Sequence, residues 1–377
     1  YRETLGLMQR IGVAPEAQLK RLPLRIQDAS GFCLALPRLP HPLNLLWGLL
    51  AARKTGLREK LTAARWMQTL QARQFIVPPE ADGSVAQWLD EAGQNGALRR
   101  HLWEPLCLAA LNTPAGHASA RVFARVLQES LGNPASGATD LLLPRNTLSD
   151  LLPDPAQKWL DARGVNIRLQ ERVHALRSQA DRWRLASRRG AETFDKVILA
   201  VAPWHLPPLL AELPRADFPV PPQAAEPIAT LYFHYPASVT LPYPLLALHG
   251  EHGGWLVDRG QGALAVALSG HGAWESLTDA DLAMALHNDI SAWLAHPVAL
   301  PPYHILHEKR ATFAALPHLV RCPQKTPWPG LFIAGDHTFP DYPATLEGAV
   351  RSGLHAAALA NGAEYCGKQK TERQALT

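Results

Sequence analysis

WPGLFIAGDHTFPDYPATLEGAVRSGLHAAAL, residues 328–359, reads as a buried strand that feeds a helix through a carboxylate-bearing turn. Gly330-Leu331-Phe332-Ile333-Ala334 is a short apolar run that stops abruptly at Gly335-Asp336, as a buried parallel strand does where it meets its loop. After Pro340 and Pro343, the residues Leu346, Ala349, Val350, Gly353, Leu354 and Ala357 recur at helical spacing. A strand end is where α/β folds hold ligands, and a helix start offers free N–H groups and partial positive charge.

Composition narrows the function classes around this stretch. The chain of 377 residues is 47% hydrophobic and 19% charged, long enough for two domains. A net charge of +4 suits an anionic cofactor or a membrane surface and is too weak a signal for nucleic acid. Cys33, Cys107, Cys322 and Cys366 form no CxxC pair, so neither a disulfide framework nor a zinc knuckle is expected, and a reducing cytoplasm is the simplest location. No apolar run approaches the roughly 20 residues that span a bilayer.

Several chemistries lack their residues. HExxH is absent, the sixteen histidines are scattered, and His249 with His252 sits in a Gly-rich turn without arranged acid or Cys ligands, so no metal is expected. GxSxG and the P-loop are absent as well. Gly260-Gln261-Gly262-Ala263-Leu264-Ala265 fits a dinucleotide string, but it lies between the strand-like runs 254–257 and 263–268 with no helix after it, and reads as a hairpin.

Further out, residues 1–12 form an amphipathic helix ended by Gly12, and the run 22–36 is strand-like. The tract 44–70 is helical, broken at Thr55-Gly56, apolar at Leu45, Leu46, Leu49 and Leu50, and basic at Arg53, Lys54, Arg58, Lys60 and Arg65. Its apolar face serves either the core or, with Trp47 and Trp66, a membrane surface. Ser84 is placed to cap a helix, and two more helices follow at 98–111 and 118–131. The segment Leu102-Trp103-Glu104-Pro105-Leu106-Cys107-Leu108-Ala109-Ala110-Leu111-Asn112-Thr113-Pro114 is apolar nearly all round, hence buried or lining an apolar cavity. His101 and Glu104 stand beside it and read first as surface or capping residues. Beyond Leu141-Leu142-Leu143-Pro144 a helix spans 154–162, and strands are expected at 165–169, 173–176, 183–186 and 196–203. The mixed region 204–326 holds a strand at 229–234, the hairpin, a helix at 279–295 and a strand at 304–307.

On these residues a resemblance can be stated. AGD followed by PATLEGAVRSG resembles the C-terminal flavin-binding signature of FAD-dependent amine oxidases and phytoene-desaturase-like enzymes. The order of helix, Gly-Val-Asn-Ile, Val173, a Trp-bearing hairpin and Phe-Asp-Lys-Val-Ile-Leu-Ala-Val-Ala-Pro is similar to theirs as well. Within that superfamily, LWEPLCLAALNTP, the later LLPR at 142–145 and LSDL at 148–151 look like the hydroxysqualene dehydroxylase family.

The resemblance implies FAD as cofactor and an α/β (α+β) fold: a Rossmann-like FAD domain at 1–20, 146–205 and 321–362, a discontinuous helical and antiparallel-sheet substrate domain at 21–145 and 206–320, and a flexible tail at 363–377. No strand-GxGxxG-helix unit opens the chain, which begins at Tyr1 inside a helical pattern, so a first βαβ unit upstream is expected. The implied cofactor contacts are Val173, Ala202, Pro203, Gly335, Asp336, Thr345, Leu346, Glu347 and Gly348. His337, Asp341 and Tyr342 are weak candidates for a proton donor.

The implied reaction replaces the hydroxyl of hydroxysqualene by hydrogen to give squalene for hopanoid synthesis, with an apolar isoprenoid as substrate and peripheral membrane contact through 44–70, on the inner face of the cell membrane. A carotenoid-type desaturase, an amine oxidase, or a flavin-free fragment that binds isoprenoid or membrane are the alternatives.

Overall fold

The computed structural model describes residues 1–214, 216–219 and 221–362. The expected tail at 363–377 lies outside them. The described chain divides into two compact units, one of 1–18, 146–223 and 320–362, the other of 19–145 and 224–319.

The first unit is built on the opening stretch. Leu331–Ile333 pairs in parallel with Val197–Leu199, and Leu331, Ile333 and Leu199 share a core with Leu176, Trp183 and Leu206. Parallel pairing makes both strands leave the sheet at the same end, so Val201-Ala202 and Gly335-Asp336 emerge together. The helix Leu346–Ala360 follows, with Thr345 as its N-cap accepting the Gly348 N–H. An antiparallel meander of Val173–Gln179, Arg182–Ser187 and Gly190–Phe194 lies in the same unit.

Three expectations for this unit need correction, and one strand was not expected. The alternating run 165–169 forms no strand, and the strand expected over 196–203 covers only Val197–Leu199. Gly190–Phe194 is a strand although all five residues are exposed, because pairing to Arg182–Ser187 defines it. The boundary expected at 205/206 falls at 223/224, since Leu206 and Leu213 pack into the core with Leu176 and Trp183.

The second unit carries a five-stranded antiparallel sheet in the order Leu245–Ala247, Trp255–Asp258, Ala263–Ser269, Ala225–His234, Tyr303–Phe313. Its inner face, with Leu231, Phe233, Leu256 and Val266, packs on Leu282, Leu286 and Ile290 of the helix Asp279–Ser291. The string at 260–265 is part of the hairpin between two of these strands.

Helices and two small antiparallel pairs, Leu19–Leu22 with Leu141–Pro144 and Arg25–Gln27 with Cys33–Ala35, supply the rest of this unit. Trp66 meets Trp88 and Trp103 edge to face at centroid separations of 5.0 and 5.2 Å, a favourable geometry for aromatic pairs. The helix Glu104–Leu111 ends at Asn112 in the left-handed conformation. The Asn112 amide donates to the Thr312 hydroxyl at 3.0 Å and accepts from Gly270 N–H at 2.8 Å, so this asparagine pins the helix end to the sheet. Thr113 Oγ1 accepts from Ala315 N–H at 3.0 Å. The LNTP tract therefore owes its residue types largely to packing and hydrogen bonding.

Candidate functional site

At the strand end of the first unit, Gly335 has φ +149° and ψ 160°. A Cβ there would lie 2.5 Å from the His337 ring, so the position requires glycine on both conformation and space. Gly335 N–H donates to Ser352 Oγ at 2.9 Å, and Thr338 Oγ1 lies 2.7 Å from the same oxygen, tying the turn to the helix behind it. The Arg321 guanidinium donates to the carbonyls of Phe339 at 2.6 Å and Tyr342 at 2.7 Å, which fixes the loop before the helix start. Asp336 is partly exposed.

A flavin carries an anionic pyrophosphate and a ring that gains negative charge on reduction. The strand-end turn at Gly335-Asp336 and the first turn at Leu346-Glu347 offer what such a group needs: close backbone approach, a carboxylate for sugar hydroxyls and helix N–H donors. Val173 opens its strand half-buried opposite Ser187, and Ala202-Pro203 starts a short helical turn where Val197–Leu199 leaves the sheet. These residues fit one part of a flavin site.

Glu347 is engaged elsewhere. Its side chain is fully buried and accepts from Thr4 N–H at 2.9 Å, Thr4 Oγ1 at 2.7 Å and Glu3 N–H at 3.0 Å, capping the helix Arg2–Arg10. Burial alone would raise its pKa, but these bonds from Thr4 and Glu3 hold it below the usual carboxylate range. Leu346 is exposed, so its backbone rather than its side chain is the available contact.

The three candidate proton donors all lie in this loop. His337 is 1% exposed, and its Nε2 is buried with no partner among the described residues. The Tyr342 ring is buried between edge contact with Phe339 and the Arg351 guanidinium 4.7 Å from its centroid. Asp341 adopts φ +54° in the turn.

A second site lies wholly within the other unit. A cavity of about 370 Å³ is lined by Asp28, His101, Glu104, Leu108, His249 and Trp255, among others, a size within the usual range for small-molecule sites. Asp28 closes the hairpin of Arg25–Gln27 and Cys33–Ala35 and is buried. Its Oδ1 accepts from Ser30 N–H at 2.9 Å and Ser30 Oγ at 2.5 Å, and its Oδ2 lies 2.6 Å from His101 Nδ1. His101 sits in the π-helical turn Arg99–Trp103, stacked on Phe32 at 4.9 Å with its ring 4.3 Å from that of His249. Such turns recur at functional sites. The tract LWEPLCLAALNTP lines this cavity through Glu104, Pro105, Leu108 and Pro114, as its apolar character implies.

Sequence reading named His101 but not its partner. Asp28 is 73 residues away, in a turn whose DASG string looks like ordinary loop material. Asp28, His101 and His249 do offer one donor atom each within 4.8 Å of one another, a grouping that the scattered histidines did not suggest. Two of the cysteines are held as thiols: burial raises the Cys107 thiol strongly and pushes Cys322 up to about 11.

Comparison with known proteins adds the family. The chain is 34% identical over 281 residues to the hydroxysqualene dehydroxylase of Rhodopseudomonas palustris, an alignment covering 72% of this chain and 64% of that one. It is 33% identical over 276 residues to that of Sinorhizobium fredii, covering 71% and 63%. The aligned region thus spans just under two thirds of either relative. Among solved structures, putrescine oxidase bound to putrescine superposes with TM-score 0.62 at 14% identity, covering 96% of this chain and 86% of that one. Cyclohexylamine oxidase from Brevibacterium oxydans gives 0.58 at 16% identity, covering 96% and 85%. The fold is that of the flavin-dependent amine oxidases, and residues 1–361 match the flavin containing amine oxidoreductase family, to which the chain belongs.

Proposed function

We propose that this chain carries a flavin-dependent hydroxysqualene dehydroxylase activity, removing the hydroxyl of hydroxysqualene to give squalene for hopanoid or other triterpene synthesis. The observation that carries the flavin part is the strand-end turn at Gly335-Asp336 joined to the capped helix Leu346–Ala360. The identity of up to 34% to proteins bearing that name supports the substrate. FAD, when bound, supplies a hydride equivalent. Gly335, Asp336, the first-turn N–H groups of Leu346 and Glu347, Val173 and Ala202-Pro203 would hold it. The balance is alcohol plus hydride plus proton giving hydrocarbon and water, so the protein must exclude bulk water and place a proton at the departing oxygen.

A peripheral seat on an anionic membrane, on its cytoplasmic side, belongs to the same proposal. The helix Leu43–Ala51 buries Leu45 and Leu49 yet exposes Leu43, Leu46, Trp47 and Leu50, a stripe at i, i+3, i+4 and i+7. Leu57 and Leu61 continue the exposed apolar surface on the helix Leu57–Ala72, and Arg53, Lys54, Arg58 and Arg65 are exposed around it. A helix apolar on both faces with a cationic rim suits a lipid interface that delivers an isoprenoid. Among the described residues, no helix is long and apolar enough to cross a membrane.

The test is turnover by the flavin-loaded protein under a chemical reductant. Squalene formation from hydroxysqualene is expected. Oxidation of an amine or desaturation of phytoene, with hydroxysqualene untouched, would replace this reading by one of its relatives; the phytoene case has its own support in 29% identity over 105 residues to a 15-cis-phytoene desaturase from an Oncidium hybrid cultivar. A protein that binds isoprenoid but takes up no flavin would leave only a binding role.

A further inference from the structure

We propose that the cavity of the second unit is the hydroxyl-binding site, and that His101, oriented by Asp28, hydrogen-bonds the substrate alcohol and gives it the proton with which it leaves as water. This rests on the dehydroxylation reading above. His337 and Tyr342 of the flavin-side loop are buried, whereas His101 borders open volume.

The hydrogen bonds make the assignment. Both oxygens of Asp28 are occupied, Oδ1 by Ser30 and Oδ2 by His101 Nδ1. The contact at Oδ2 takes up Nδ1, so the ring's other nitrogen, Nε2, is the one left for a ligand. No protein partner of Nε2 occurs among the described residues. Stacking on Phe32 and the π-helical turn hold the ring plane. An imidazole fixed through Nδ1 by a buried carboxylate, in the lining of a cavity, is a device for moving one proton at a defined point.

The same three side chains resemble a two-histidine, one-carboxylate cation site. Against this, His101 Nδ1 is turned to Asp28 and both Ser30 donors take Oδ1, so only one lone pair of Oδ2 would remain for an ion. The donor set therefore reads as an oriented imidazole.

In the step, His101 Nε2 first takes up a proton, and that Nε2–H bond then breaks as an O–H bond forms on the alcohol. The C–O bond then cleaves with its electron pair leaving on oxygen as water. The electron pair for the carbon would come as a hydride equivalent from the reduced flavin, and His101 regains its proton from water once the product has left.

Two readouts separate binding from chemistry. The first is equilibrium affinity for hydroxysqualene against squalene in the flavin-loaded, oxidised protein, where no turnover occurs. Wild type is expected to prefer the alcohol by about 3–10-fold, the worth of one hydrogen bond. His101→Phe removes the preference while squalene affinity is kept. The second is kcat under reductant. His101→Gln keeps a polar group for the hydroxyl and so keeps the preference, but lowers kcat by about 10²–10⁴ with KM little changed. Asp28 is a positioning residue: Asp28→Asn, whose amide can donate to Nδ1, lowers kcat and moves the His101 ring from the Nδ1–H to the Nε2–H tautomer, read by its 15N shifts.

Retention of the alcohol preference in His101→Phe, or of kcat in His101→Gln, overturns the proposal. So does transfer of both effects to His249→Ala, or one equivalent of Zn²⁺ bound by wild type and lost in His101→Gln. A wild type that prefers the alcohol through His101 yet forms no squalene overturns the dehydroxylation reading and leaves the hydroxyl site standing.

Discussion

Glu347 heads the helix Leu346–Ala360, where a sequence reader sees a cofactor contact, yet its carboxylate satisfies the first-turn N–H groups of the helix Arg2–Arg10. The helix start is legible because capping and periodicity are local; the partner is not, because Thr4 is 343 residues away. Bonds to a charged group contribute about 1.5–3 kcal/mol, so Glu347→Gln should destabilise the fold by about 2 kcal/mol near neutral pH in denaturant titrations. The folded pKa is lowered, so this stabilisation is fully present above the ordinary carboxylate value and is lost as pH falls through the lowered one. Wild type and variant should therefore begin to converge as pH falls below about 4 and meet once it is under the lowered pKa; a gap that persists below that would mean the side chain acts by shape alone. Gly335→Ala meets both a positive φ and the His337 ring, and should cost about 1–3 kcal/mol while lowering flavin content. Gly353→Ala is its control: nothing lies within 4 Å of a Cβ on this helical residue, so thermal melting should show no loss.

Elements follow the same division between local pattern and distant partner. The hairpin around 260 and the strand at 331–333 declare themselves through turn residues and apolar runs. Alternation over 165–169 does not, since Val165 and Leu169 are exposed and find no strand to pair with. Conversely Gly190–Phe194 has no apolar pattern and becomes a strand through its neighbour alone. The helix Leu43–Ala51 is the case where pattern exceeds what the core uses. Replacing Leu46, Trp47 and Leu50 together by Gln alters side chains already 40%, 60% and 53% exposed, so the fold should be kept. Burying such side chains in lipid yields up to about 1.5–3 kcal/mol each, and the triple variant should sediment with anionic vesicles about 10²-fold more weakly. Added salt should weaken wild type further through the cationic rim, by screening contributions of about 1 kcal/mol per Lys or Arg. Vesicle binding equal to wild type would remove the membrane from this face.

At the scale of the molecule, the chain passes back and forth so that each unit is assembled from separated segments around its own core. The proposed ligands fall on different units: flavin on the turn at 335–336 and the helix start at 345–348, the alcohol on the cavity bordered by Asp28, His101 and His249. A ligand that binds only the native state stabilises what it touches in proportion to the logarithm of its saturation, and amide exchange reads that locally. Adding FAD should therefore slow exchange in 197–202, 331–338 and 345–349. Adding hydroxysqualene should slow it in 25–34, 98–105 and 247–255, and the His101→Phe variant should lose part of the latter protection while keeping the former. Protection of the cavity walls by FAD alone would place the cofactor where the alcohol is assigned, and both site assignments would have to be exchanged.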